Sequence, residues 1–91
     1  MLKRGSTVIS LAGNDKGTLL VVLCKEGTTA LTADGRKRRV QSPKRKNFRH
    51  LQDTGAILDD QSMATNREIR RALRRLTEGF ASAVSLPPGK P

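Results

Sequence analysis

The longest apolar run in the chain is "TLLVVLC", residues 18 to 24, set between two turn signals, "NDKG" (14 to 17) and "KEGT" (25 to 28). Seven residues rich in β-branched side chains suit a strand better than a helix, and the absence of alternation says that both faces are buried. The run is far short of the roughly 20 apolar residues that a membrane-spanning helix needs.

The flanking segments supply short strands. "STVISLAG" (6 to 13) is β-rich and ends in Gly. In "NDKG" the Asn, Asp and Gly accept positive φ or close an Asx turn. "TALTA" (29 to 33) reads as a third strand. Asp34–Gly35 is the strongest short hairpin signal, because a type I′ turn needs positive φ at both central residues. "RKRRV" (36 to 40) is then the return strand. A two-residue loop pairs Ala33 with Arg36, Thr32 with Lys37, Leu31 with Arg38 and Ala30 with Arg39. Leu31 and Val40 then mark the core face, Lys37 and Arg39 point outward, and Arg36 and Arg38 snorkel from the rim. "QSPKRKN" (41 to 47) reads as a loop. "FRHLQ" (48 to 52) offers Phe48 and Leu51 to the core, as a short fifth strand or a single helical turn.

Five short strands and tight turns within about fifty residues predict a mainly β fold, a small five-stranded barrel over residues 1–52. Residues 53–64 read as a linker, with Ile57, Leu58 and Met63 touching back. Residues 65–80 read as a basic amphipathic helix. Thr65 and Glu68 make a T-x-x-E capping box, and Ile69, Leu73, Leu76 and Phe80 follow at helical spacing beside Ala72. Gly79 offers a C-cap. Arg67, Arg70, Arg71, Arg74 and Arg75 cover the remaining surface, so the helix docks on the barrel or recruits a ribosomal or other protein partner, and its arginine face offers a further contact to RNA or anionic lipid. Residues 81–91, with three prolines, are expected to be disordered.

Charge decides the functional class. The formal net charge is +10. Residues 1–52 carry twelve Lys or Arg against three acids, a balance of +9. Eight of the twelve lie between Arg36 and Gln52. A small, strongly basic domain points to a polyanion. The single Cys24 allows no internal disulfide and, at the end of an apolar run, reads as a buried hydrophobe. One Cys and one His do not make a four-ligand zinc site. The N-terminus does not resemble a signal peptide, and the expected setting is the cytoplasm.

No catalytic set, metal site or cofactor site emerges. His50 has no partner nominated by spacing, Asp59 and Asp60 read as solvated charges, and "AGNDKG" lacks the P-loop pattern. The basic stretch is anchored at both ends, by a hairpin strand and by Phe48 and Leu51. With two Phe and neither Trp nor Tyr, the chain lacks stacking platforms for splayed bases. The expected partner is structured RNA, read through phosphates and 2′-hydroxyls.

"GSTVISLAGNDKGTLLVV" resembles a KOW motif. Together with "DG", a basic strand and "PKRKNFRHL", residues 5–52 resemble the bacterial KOW-domain RNA-binding proteins, which are similar to the fourteenth large-subunit ribosomal protein of the archaeal and eukaryotic type. The resemblance implies an SH3-like barrel that binds ribosomal or other structured RNA. It matches Gly13, Asp15, Lys16 and Gly17 in the first turn, and Lys44, Arg45, Lys46, Asn47 and His50 in the second motif. Residues 53–91 fall outside it. The expectation is a non-enzymatic RNA-binding protein with a role in translation or ribosome assembly. Its surface comprises Lys16, Arg36, Lys37, Arg38, Arg39, Lys44, Arg45, Lys46, Asn47, Arg49 and His50, with Gly13, Asp15, Gly17, Asp34 and Gly35 shaping the turns. The alternative is a protein-interaction module that docks on an acidic surface of the ribosome or the transcription machinery.

Overall fold

The computed structural model describes residues 2–83, with side-chain environments through Glu78. It is mainly β. Five antiparallel strands form one sheet: β1 (Ser6–Ser10), β2 (Leu19–Glu26), β3 (Thr29–Ala33), β4 (Lys44–Asn47) and β5 (Leu51–Ile57). The order is β4-β3-β2-β1-β5. A 3-10 turn, Phe48–His50, links β4 to β5, and a second, Gln61–Met63, precedes the helix α1 (Asn66–Ala83).

The middle of the apolar run, residues 20–22, is buried on both faces. Leu20 and Val22 of β2 join Leu2, Val8, Ala30 and Leu51 in one core cluster, with Phe48 packed against it. Val21, one residue out of phase, joins Ala33, Met63, Ile69 and Leu73 in a second cluster under α1. On one side β2 therefore packs with other residues of the sheet and Leu2, and on the other side it packs under the helix. Ile69 and Leu73, four residues apart on α1, are both buried, and Leu76 flanks them. The helix stripe is a docking face for the sheet.

The N-terminus of α1 forms as the capping signal predicts. The Thr65 hydroxyl accepts the Glu68 amide at 3.1 Å. Gly79 does not stop the helix, which runs to Ala83. The expected place of Phe80 on the stripe lies outside the described side chains. Of the expected disordered tail, residues 81–83 continue the helix and residues 84–91 lie outside the described residues.

Three expectations change. The hairpin at Asp34–Gly35 does not form. Among the described residues no non-Gly residue has positive φ, so Asp34 does not take the conformation that a type I′ turn requires. Its carboxylate instead accepts the amides of Arg36 (2.8 Å) and Arg38 (3.0 Å), coiling residues 34–38 into a loop. Arg36–Val40 is thus no strand, and the pairing of Ala33 to Ala30 with Arg36 to Arg39 is absent. The return strand is β4, drawn from the segment expected to be a loop, with Thr32 opposite Lys44, Leu31 opposite Arg45, Ala30 opposite Lys46 and Thr29 opposite Asn47. Ala30 and Thr32 are fully buried, whereas Leu31 is only partly so. Val40 still reaches the second cluster, from the loop.

Second, β5 extends through residues 53–57 of the segment read as a linker and pairs with β1. A register shift between Ser6 and Val8 accommodates it, and the buried Thr7 hydroxyl bonds the Thr54 hydroxyl and the Ala56 carbonyl. Ile57 pairs with Ser6 at the end of β5 but its side chain is largely exposed, while Met63 and Leu58 pack inward. Third, Cys24 is exposed. A bulge between Val22 and Cys24 breaks the alternation that would have carried it inward.

Candidate nucleic-acid interface

The first turn is built around Asp15. Its carboxylate accepts the Ser10 hydroxyl at 3.1 Å and lies 2.8 Å from the Lys46 ammonium on β4. The two side chains are only 15% and 8% exposed. Lys46 also donates to the Ala12 carbonyl at 3.2 Å. It faces inward because it sits opposite the buried Ala30. Burial pushes the Asp15 carboxyl upward, but the Lys46 ammonium and the Ser10 hydroxyl outweigh it and hold the group below its ordinary value. Asp15 is therefore a charged partner of Lys46, and its charge is balanced from within.

This ion pair joins the two segments that carry the sequence motifs. A shallow groove of about 210 Å³ is lined by Ala12 and Gly13 from the first turn and by Lys44, Arg45, Lys46, Asn47 and His50 from β4 and the following turn. A second concavity, about 410 Å³, adjoins it across Asp15 and is lined by Asn14, Thr18, Asp34, Arg36, Lys37 and Arg38. Lys16 is exposed on the same turn.

The expected site residues divide by what they already touch. Lys46 is engaged internally. Arg45 pairs with Glu26 at 2.9 Å on the surface. Asn47 caps the Phe48–His50 turn by accepting the Arg49 amide at 3.0 Å. Arg36, Lys37, Arg39, Lys44 and Arg49 are exposed, and no acidic side chain pairs with them among the described residues. Arg39 and Arg49 line neither groove.

The loop that carries Arg36–Arg39 is tied to α1. The Arg70 guanidinium donates to the Gly35 carbonyl at 2.7 Å. The Asn66 side chain accepts the Val40 amide at 2.8 Å and donates to Gln41 at 2.9 Å. Gly35 has φ +79, and a Cβ there would collide with the Asn66 carbonyl oxygen and lie 2.9 Å from Arg70 Cγ. Asn66 and Arg70 hold the loop of the candidate site, and the sequence alone places them only on the helix and, for Arg70, on its arginine face. Their one sequence signal is position: Arg70 follows Ile69 of the stripe, so it stands at the edge of the docked face.

Among the described residues no three His, Cys, Asp or Glu side chains gather to hold a metal ion, and no helix is long and apolar enough to cross a membrane. No protein-family model matches the chain, and no curated protein matches it significantly.

Proposed function

We propose that the chain is a non-catalytic RNA-binding protein whose basic loop and β4 meet the backbone of structured, ribosomal-type RNA, in a role in translation or ribosome assembly in the cytoplasm. The observation that carries the reading is convergence. Gly13 and, distant in sequence, Lys44–Asn47 and His50 line one groove, and Arg36–Arg38 line the next, with Asp15 between them already paired to Lys46. Five exposed cations on a pinned loop and an edge strand present charge to a rigid polyanion at reduced entropic cost. The return of β5 onto β1 supports the reading of the sheet as an SH3-like barrel of the KOW type.

Phosphate contacts dominate this mode of binding, so affinity falls steeply with salt. Titration of the affinity for a folded RNA with salt, beside an acidic protein of matched charge, tests the proposal. Stronger and more salt-sensitive binding to RNA supports it. Preference for the acidic protein supports the interaction-module reading instead.

A further inference from the structure

A third concavity, about 320 Å³, lies where the basic loop meets α1. Leu19 of β2 and Leu73 of α1 contribute apolar lining, and Arg36, Arg70 and Arg74 contribute cations. Arg70 is held in place by its 2.7 Å bond to the Gly35 carbonyl. A guanidinium has five N–H donors, so most of the fork remains for a ligand. Arg74 lies 3.4 Å from Glu78 in an exposed pair, a contact weak enough for an anion to displace. Asp34, which also lines the groove, has one carboxylate oxygen engaged by the Arg36 and Arg38 amides.

A guanidinium bonded in place, two exposed ones and an apolar lining match the chemistry of a phosphodiester with its sugar: anionic oxygens for the arginines and a C–H face for the leucines. A flat anionic bilayer does not enter a concavity and would meet the outward arginines instead. We propose that this groove is a second RNA-backbone contact, anchored by Arg70, that extends the interface from the sheet onto α1. The proposal rests on the RNA-binding reading above.

The test uses the full chain, a labelled stem-loop RNA and two charge-matched variants. Arg70→Gln/Arg74→Gln removes the groove cations from α1, and Arg71→Gln/Arg75→Gln removes two arginines that do not line it. The first variant lowers the magnitude of the log-affinity against log-salt slope by about 1–2, with each lost phosphate contact worth about 0.9. The second produces less than half that change. Equal effects, or no effect of the first variant, overturn the proposal. So does a first variant that keeps RNA binding and loses binding to phosphatidylserine vesicles. Should melting show the first variant unfolded, Arg74→Gln alone carries the test, with a slope change of about 1 expected and none overturning it. A wild-type chain with no salt-dependent RNA affinity overturns both readings. Failure confined to α1 leaves the loss caused by Arg36→Gln/Lys37→Gln/Lys44→Gln intact.

Discussion

Lys46 Nζ lies 2.8 Å from Asp15 Oδ1, and this bond ties the edge strand β4 to the turn between β1 and β2. Both groups are mostly buried, and the second Asp15 oxygen has no hydrogen-bond partner. Removing one member of such a pair strands the other charge. For a fully buried pair that costs about 3–5 kcal/mol. The residual exposure here puts the expected loss for Lys46→Met near or below the bottom of that range. Lys46→Met/Asp15→Leu is expected to lose less than the sum of the two single changes, because no uncompensated charge remains. Denaturant melts of the four proteins check this, and strict additivity would contradict it.

The same pair sets an acid dependence. The folded-state pKa of Asp15 lies below its ordinary value of about 3.8. The group therefore contributes stability that is fully present above that value and is lost as pH falls through the lower folded value. Asp59, held down by the Ser62 amide, titrates in the same direction. The comparison that isolates Asp15 is the stability of wild type against Asp15→Asn. The gap between them is expected to be constant near neutrality and to close on acidification below about pH 4. A gap that stays constant down to the lowest pH would contradict this.

Gly35 and Gly17 offer a matched contrast. Both have positive φ, but a Cβ at Gly17 meets nothing within 4 Å, while one at Gly35 collides with α1. Gly17→Ala is expected to cost only the left-handed backbone penalty, about 1–2 kcal/mol. Gly35→Ala is expected to cost more and to loosen the loop from α1. Thermal melts give the first result, and faster exchange of the Val40 amide, which bonds Asn66, gives the second. Equal destabilisation at the two positions would show that loop and helix are not in close contact.

Local pattern and tertiary pairing explain which of these features the sequence reveals. The strands β1 to β3 and the cap at Thr65 depend on neighbouring residues, and each is legible from a short stretch. Asp34–Gly35 carries the local signal of a two-residue hairpin, but the Asp34 carboxylate binds amides two and four residues on, and the helix approaches Gly35 from outside. Neither contact is visible in a dipeptide. Residues 53–57 of β5 read as a linker because they lie on an edge strand with an exposed polar face, and their pairing depends on Thr7, far away in sequence. At the site, charge count picks out the basic stretch from Arg36 to Arg49 but not which part of it is a strand. It does not separate Lys46, which is buried against Asp15, from Lys44 and Lys37, which are exposed.

That separation selects the variant for the central test. Alanine at 44, 45 and 46 together would break the Asp15–Lys46 bond and confound folding with binding. Arg36→Gln/Lys37→Gln/Lys44→Gln removes three exposed cations and leaves that pair in place. The decisive measurement is the salt dependence of RNA affinity for this variant and for wild type, with a melt to show that both are folded. The account predicts a steep wild-type slope, reduced in magnitude by about 2–3 in the variant, and an affinity lowered by well over tenfold at fixed salt. A flat wild-type slope, or a folded variant that binds RNA as wild type does, would contradict it.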